Sequence, residues 1–423
     1  MKKKIYIVAI LLLAGIGVLV CALLQYRVKE TSADADRGAL KLNLQLDNLT
    51  VSGMNAEKPA KVKEEPSVSE NCEKTLSQNE ASFVQEGRIK VKGVYVTGLM
   101  AGSIYMDDLI SLVDETELNT MVIDIKDDKG KLTYYTKLDS ANRMGAGGTD
   151  IGDIQGLMAK LKEHDIYTIA RIVCFKDPVL AAGRPELALK KADGTPVTDG
   201  NGLAWVNPYR IEVWEYLTQI AAEAADMGFD EIQFDYVRFP VGKDAASADY
   251  GVDVNAYTKE QAITDFLTYA SDRLHEKNIV VGADVFGTII GSSVDKEHIG
   301  QNYQVLGSVL DVISPMVYPS HYKEKVFGLD VPDAHPYEAV LAALQSSKKE
   351  LEAVPEQERA IVRPWLQSFT ATWVPGHISY KGEQIRQQIQ AVYDTGYDEW
   401  ILWNASNRYP GEALGEDEGI PEE

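Results

Sequence analysis

The chain has 423 residues, 45% of them hydrophobic, which suits one large domain with attachments or two ordinary domains. Its formal net charge of −22 repels phosphates, so nucleic acid is excluded as a partner and a neutral or cationic partner fits better. Its three cysteines, Cys21, Cys72 and Cys174, are too few and too scattered for a disulfide framework or a paired-cysteine metal site.

Residues 1–26 predict an N-terminal membrane anchor. Lysines precede an uncharged run over residues 5–24, and about 20 apolar residues span a bilayer, whereas a signal peptide needs roughly 7–15. The lysines favour a cytoplasmic N-terminus, although Arg27 and Lys29 weaken this asymmetry. We therefore expect a single-pass protein of the bacterial cytoplasmic membrane, with the remaining chain extracytoplasmic. The alternative is a cleaved signal and a secreted protein, because residues 33–35 resemble a signal-peptidase site.

Residues 27–88 are polar and rich in Ser, Glu, Lys and Asn, with few apolar side chains to bury. This composition predicts a flexible, disordered stalk. The folded domain is expected at residues 89–410, and residues 411–423 form an acidic C-terminal tail.

Short apolar runs alternate with helical patterns across the predicted domain. The predicted strands are residues 91–98, 120–126, 166–173, 231–237, 279–286, 312–318, 361–369 and 400–404. The predicted helices are residues 106–117, 153–163, 207–227, 259–276, 302–310, 337–351 and 383–395. This order predicts an α/β fold with a parallel sheet, and eight units over roughly 310 residues favour a (β/α)₈ TIM barrel. A doubly wound open sheet is the alternative, but no GxGxxG motif follows the first strand.

Polar side chains lie on one face of several strands, near their C-terminal ends. Alternation puts Asp124 and Lys126 on one face of the second strand, and Gln233 and Asp235 on one face of the fourth. Asp284 has the matching position on the fifth strand. Barrel enzymes place their catalytic residues at these strand ends, so acids on three strands predict a catalytic centre.

The strongest single candidate is Asp235, within the segment GFDEIQFDYVRFP. A carboxylate there can attack or stabilise an oxocarbenium-like centre, and a second carboxyl group must protonate the leaving oxygen. Asp284 on the adjacent strand can supply it, and Asp124 is a third acid. Arg171 lies on the strand between Asp124 and Asp235 and can hold either one ionised. The residues do not decide which acid takes which role.

Further candidates share positions at or just after strand ends, where aromatic rings can stack on sugars and polar groups can orient them. The predicted substrate-binding residues are Lys126, Arg171, Gln233, Tyr236, Arg238, Tyr318, His321, Trp365, Gln367, Trp403 and Asn404. We expect no cofactor and no catalytic metal. A structural calcium ion at loop acids such as Asp127 and Asp128 stays open.

The segments VIDIKDDKG, GFDEIQFDYVRFP, ADVFG and ILWNASNRY resemble a bacterial family of glycoside hydrolase-like TIM-barrel domains, formerly of unknown function, that often follow an N-terminal anchor. The resemblance covers residues 92–409, nearly all of the predicted domain. Through distant likeness to α-amylase and α-galactosidase barrels, it implies that Asp235 occupies the position of the nucleophile. This chain has Asp284 where amylase-like barrels have Glu, and Gln233 where they have Arg, so amylase activity is not implied.

We therefore expect a monomeric glycoside hydrolase that cleaves a cell-envelope or environmental polysaccharide with paired Asp carboxylates. The main alternative is a non-catalytic carbohydrate-binding or envelope-structural protein. A metal-dependent deacetylase would need a His and Asp ligand cluster, which the six scattered histidines do not supply. A Schiff-base aldolase would need a buried strand lysine, for which Lys126 is the only good candidate.

Overall fold

Eight parallel strands form a closed barrel in the computed structural model, which describes residues 88–415. The strands are β1 Lys92–Val96, β2 Thr120–Lys126, β3 Tyr167–Val173, β4 Glu231–Asp235, β5 Val280–Phe286, β6 Val312–Met316, β7 in two segments, Ile361–Val362 and Trp365–Gln367, and β8 Trp400–Trp403. Pairing runs in chain order, and β8 returns to β1 through Trp400 opposite Lys92. The predicted barrel is confirmed, and the open-sheet alternative is wrong because this sheet has no edge.

Helices follow the strands and cover the outside of the barrel. The longer ones are α1 Met106–Asp114, α2 Ile154–Glu163, α3 Ile211–Asp226, α4 Lys259–His275, α5 Ser293–Ile299, α6 Pro336–Leu351 and α7 Gly382–Asp394. Short helical turns occupy Gly98–Ala101, Asp139–Arg143, Pro178–Gly183 and Tyr303–Leu306. Two small strands, Lys190–Lys191 and Ala248–Asp249, pair in antiparallel fashion within the loops.

Helix starts follow local capping chemistry. At the start of α4, the Gln261 N–H donates to Thr258 Oγ1 and the Thr258 N–H donates to Gln261 Oε1, which satisfies two end groups at once. By contrast, α3 begins four residues later than predicted. Asn207 accepts from the Tyr209 N–H and donates to the Tyr250 carbonyl, so it stabilises a turn before the helix.

The predicted membrane anchor and the stalk up to residue 87 lie outside the described residues, as does the tail from residue 416. Within residues 88–415, no helix combines the length and apolar character needed to cross a membrane.

Alternate strand residues divide the hydrophobic core into two layers. Residues such as Ile123, Ala170 and Phe234 pack between the strands and the helices. Tyr95 and Ile169 point into the barrel instead, as do Val122 and Ile401. This two-residue alternation is what aims polar side chains into the barrel at the ends of the strands.

The N-terminal end of the barrel is filled by a buried ion cluster. Arg363 Nη1 lies 2.7 Å from Glu231 Oε1, and Arg363 Nε lies 2.9 Å from Glu399 Oε2. Arg88 pairs with the other oxygen of Glu399. Because these groups occupy the barrel interior at this end, side chains available to a ligand lie at the opposite, C-terminal end.

One predicted position is wrong because β2 contains a bulge. Asp124 is opposite Arg171 of β3, but Lys126 is opposite Ile172, so the register shifts by one residue between them. Lys126 therefore does not share a face with Asp124. Its fully buried ammonium group donates to the Val173 carbonyl at 2.6 Å and pairs with Asp177 at 2.9 Å. This lysine is not available to bind substrate or to form a Schiff base.

Candidate active site

Arg171 brings the three predicted acids together at the C-terminal end of the barrel. Its Nη1 donates to Asp124 Oδ1. Its Nε donates to Asp235 Oδ2 at 3.0 Å, and Nη2 donates to the same oxygen. Asp284 Oδ2 lies 3.8 Å from Nε. Strands β2, β3, β4 and β5 thus contribute one residue each to a single charged cluster.

The spacing of Asp235 and Asp284 follows from their shared neighbour. Their Oδ2 atoms lie 3.0 and 3.8 Å from the same guanidinium nitrogen, so the two oxygens are less than about 7 Å apart. Retaining glycosidases hold their two carboxyl groups about 5–5.5 Å apart and inverting ones about 6.5–9.5 Å apart. This upper limit excludes most of the inverting range and is compatible with the retaining separation.

Asp284 is in an environment that favours its neutral form. Its side chain is only 1% exposed, and burial together with the nearby charge of Asp235 raises its pKa well above the ordinary value. The Trp365 indole N–H donates to Asp284 Oδ1 at 2.6 Å. Because an indole can only donate, Oδ1 is an acceptor, and the proton of the neutral acid belongs on Oδ2.

Asp124 supports the guanidinium from the opposite side. Its Oδ2 accepts a hydrogen bond from the Tyr95 hydroxyl, and its Oδ1 accepts one from Arg171. Burial raises the pKa of Asp124 and that of Tyr95. Tyr95 was not predicted as a site residue. Strand alternation could have indicated it, because Tyr95 lies four residues after Val91 near the end of β1 and both side chains point into the barrel.

The backbone just after β4 is in an uncommon conformation. Tyr236 has a φ of 50°, which is rare for a bulky residue, and its N–H donates to Asp235 Oδ1. Such outliers persist where the surrounding structure enforces them, often at functional sites.

Gln301 links the segment after β4 to β5 through hydrogen bonds on the helix-facing side of the barrel. Its Nε2 donates to the Val237 and Asp284 carbonyls, and its Oε1 accepts from the Phe286 N–H. It follows α5, and no strand-end pattern indicated it.

Aromatic side chains line one side of the barrel mouth. The half-buried Trp403 ring lies 5.2 Å from Phe369, 6.0 Å from Tyr318 and 6.1 Å from Tyr95, measured between ring centroids. The His321 ring lies 5.1 Å from Tyr318, and burial lowers the pKa of His321 to about 4. This histidine is therefore neutral at pH 7 and adds no charge to the aromatic side of the mouth.

Three predicted binding residues donate hydrogen bonds to other groups of the protein. Gln367 donates to Asp333 at 2.9 Å and accepts from the Ser320 N–H. Asn404 donates to the carbonyls of residues 368 and 408. Gln233 lies deeper in the barrel and donates to Ser314 Oγ at 3.0 Å. These side chains hold loops and strands in place around the acid cluster.

The loop acids proposed for calcium have other partners. Asp127 accepts from the N–H groups of Lys129 and Lys131, and Asp128 pairs with Lys176 at 2.9 Å. Within residues 88–415, no group of three or more His, Cys, Asp or Glu side chains is arranged to hold a metal ion.

Several solved structures are similar to this chain. The PgaB (BpsB) glycoside hydrolase domain of Bordetella bronchiseptica is 14% identical with a TM-score of 0.57, covering 78% of this chain and 99% of that one. A hypothetical protein from Ruminiclostridium thermocellum is 37% identical with a TM-score of 0.42, covering 45% and 97%. The α-galactosidase TtGalA of Thermus thermophilus is 13% identical with a TM-score of 0.46, covering 78% and 63%. The PgaB likeness supports the barrel fold, and a comparison with curated proteins found no match.

A family model assigns the chain more directly than these structures do. The family described as "Putative glycosyl hydrolase domain" matches residues 93–409. This range includes the whole acid cluster and all of the barrel strands apart from Lys92, the first residue of β1. The match covers well over half of the chain and agrees with the sequence resemblance in both extent and fold. The chain belongs to this family of glycosyl hydrolase domains.

Proposed function

We propose that this protein is an extracytoplasmic glycoside hydrolase of a cell-envelope or environmental polysaccharide, with Asp235 as the nucleophile and Asp284 as the general acid and base. Family membership supports the general glycosidase activity. The observation that carries the finer assignment is the convergence of two acids on one guanidinium in contrasting environments.

Asp235 has the surroundings of a nucleophile. Arg171 and the Tyr236 N–H donate to its two oxygens, and such donors stabilise negative charge and fix the orientation of a carboxylate. In the first step, Asp235 attacks the anomeric carbon while the bond to the leaving oxygen breaks, which forms a glycosyl ester.

Asp284 has the surroundings of a proton donor. Its raised pKa favours the protonated form, and Trp365 occupies Oδ1, which leaves the proton on Oδ2 for the leaving oxygen. In the second step, the ionised Asp284 accepts a proton from water, the water oxygen attacks the ester, and Asp235 departs. The upper limit on the separation of the two acids favours this retaining course over an inverting one.

The aromatic side of the mouth supports a carbohydrate substrate. Trp403, Tyr318 and Phe369 present uncharged rings beside the acid cluster, and such rings can pack on the apolar faces of sugars. The extracytoplasmic location rests on the lysine-led apolar run of residues 5–24. A monomer is favoured because the closed barrel leaves no strand edge to pair with a second copy.

The first experiment replaces each acid in the full-length protein. Asp235→Asn and Asp284→Asn should each lower hydrolysis of a responsive glycan by about 10²-fold or more, because Asn can neither attack nor donate the proton. The proteins are screened on peptidoglycan, capsule and α-linked glycans. Asp226→Asn, an exposed acid at the end of α3, is the control and should keep full activity.

A second substrate separates the two roles. With an aryl glycoside whose leaving group needs no proton, Asp284→Asn should retain glycosyl-ester formation, visible as a burst of released phenol. Asp235→Asn should give no burst. Asp284→Asn should melt near the temperature of the unaltered protein, because the proposed form of Asp284 is already neutral and Asn keeps its shape. Asp235→Asn loses the charged acceptor of Arg171 but leaves the Asp124 pair in place, and thermal melting checks that this variant stays folded.

Unchanged hydrolysis in both variants would rule out this pair and make Asp124 the next partner to test with Asp235. Glycan binding without any hydrolysis by the unaltered protein would favour the non-catalytic alternative.

A further inference from the structure

Arg238, in the loop after β4, is a buried cation without a carboxylate partner. Its side chain is 3% exposed, and within residues 88–415 it forms no ion pair. The one hydrogen bond it donates runs from Nη1 to the Phe239 carbonyl at 3.0 Å. A guanidinium carries five N–H donors in a planar fork, so most of the donors of this group are unused.

Three aromatic rings surround the guanidinium. Its Cζ lies 4.5 Å from the ring centroid of Phe286, 4.9 Å from Trp205 and 5.3 Å from Tyr236. Ring faces attract a cation, but they accept no in-plane hydrogen bonds and offset only part of the cost of burying a charge. The rings therefore fix the guanidinium, while most of its N–H donors have no acceptor among residues 88–415.

The nearest acids are already paired with other cations. Asp235 is bound by Arg171 at 3.0 Å, and Asp199 is bound by Lys176 at 3.0 Å. Burial lowers the pKa of Arg238, yet an arginine stays charged in proteins. Arg238 thus places a positive charge without a paired carboxylate three residues after the proposed nucleophile.

We propose that Arg238 forms a subsite for the carboxylate of a uronic-acid sugar in the glycan. This inference rests on the proposed function. A planar carboxylate matches the guanidinium fork with two parallel hydrogen bonds, and the half-buried rings of Tyr236 and Phe286 lie beside the carboxylate position. The net charge of −22 does not oppose this, because charges farther than about 8 Å are largely screened at physiological salt.

The test is a calorimetric titration of the full-length protein with D-glucuronate and with D-glucose, its neutral match. We expect glucuronate to bind at least about tenfold more tightly, in the range of hydrogen bonds to charged groups. Arg238→Gln should reduce this preference to near parity, and Arg238→Lys should retain part of it. Lys259→Gln is the matched control, because Lys259 also lies over two rings, Phe239 and Tyr250, but on α4. It should keep the full preference.

Folding of the variants is checked by thermal melting. Arg238→Met should melt no lower than the unaltered protein, because a residue kept for binding contributes an uncompensated buried charge. A clear drop would show that Arg238 is a structural cation and would overturn the subsite.

Other results also decide against the proposal. The carboxylate assignment would be overturned by equal affinity for glucuronate and glucose, or by an unchanged preference in Arg238→Gln. It would also be overturned if glucose 6-phosphate bound more tightly than glucose by the same factor as glucuronate does. Binding requires no hydrolysis, so the two proposals can fail separately. Cleavage of a neutral glycan without glucuronate preference refutes only the subsite, and glucuronate preference without any hydrolysis refutes only the enzyme mechanism.

Discussion

Arg171 couples the titration of the acids around it. The guanidinium contacts Asp124, Asp235 and Asp284, and the pKa of Asp284 responds both to the charge of Asp235 and to Arg171. When groups interact this strongly, the pKa values seen in a pH–rate profile belong to the set and not to one residue. A substitution next to any one acid should therefore move the profile of the whole enzyme.

Trp365→Phe tests this coupling without removing an acid. The indole N–H stabilises the ionised form of Asp284, so its loss should raise the pKa of Asp284 further. Activity that needs the protonated acid is lost as pH rises through this pKa. The alkaline limb of the kcat/KM profile should therefore move to higher pH.

Trp400→Phe is the control for this change. Trp400 is also fully buried but lies in the outer layer, where its indole donates to the Tyr393 hydroxyl. It should cost comparable stability and leave the pH profile in place. An alkaline limb that stays at the same pH or moves to lower pH in Trp365→Phe would contradict the role of Asp284.

Much of the acid cluster could be predicted from strand alternation alone. The inward positions of Asp235, Asp284 and Arg171 follow from a two-residue period and from the strand ends at which catalytic groups gather. Lys126 was misplaced because a bulge depends on the pairing of two strands, which the local pattern does not contain. Gln301 was missed because its contacts with β4 and β5 exist only in the folded chain.

At the scale of elements, β7 shows how one residue can divide a strand. It was predicted as one run over residues 361–369, but Pro364 separates Ile361–Val362 from Trp365–Gln367. Proline has no N–H to donate to the neighbouring strand, although its carbonyl accepts from Ile401. The break separates Arg363 at the N-terminal end from Trp365 beside the acids, so one strand serves both ends of the barrel.

The buried ion cluster at the N-terminal end should matter for stability and not for chemistry. Arg363→Met leaves Glu231 and Glu399 without their shared cation, which should cost about 3–5 kcal/mol of unfolding free energy at neutral pH. Urea unfolding at several pH values measures the loss.

Part of this loss should be regained in acid. Burial already raises the pKa of Glu231, and removing Arg363 raises it further. A raised native pKa contributes stability at low pH that disappears as pH increases through it. Lys277→Met, which breaks an exposed pair with Asp226, should cost less than about 1 kcal/mol at any pH. A loss in Arg363→Met that does not vary with pH would contradict this explanation.

At the scale of the whole molecule, the order of elements was sufficient to predict the fold. Eight strand patterns alternating with helices leave few parallel topologies, and closure of the barrel follows from the pairing of β8 with β1. Loop structure was far less predictable. The helix α5 has seven residues, too few for a clear amphipathic period, and it was not anticipated.

The location of the enzyme is tested by a fusion. A reporter active only outside the cytoplasm, joined after Lys92, should be active and remain with the cells, because the N-terminal run is long enough to span a bilayer. A reporter joined after Lys4, before the apolar run, is the control and should be inactive. Recovery of all activity in the culture medium would show instead that the segment is cleaved.

The pairing of Arg88 with Glu399 has a consequence for orientation. Residue 88 enters the domain at the ion cluster, on the pole of the barrel opposite the acids. Everything upstream of it must attach at that pole. If the chain is anchored as we propose, the tether joins the domain at the end opposite the catalytic opening, so the attachment point does not obstruct that opening. The predicted flexible stalk then leaves the opening free to turn toward polymer in the surrounding wall or medium.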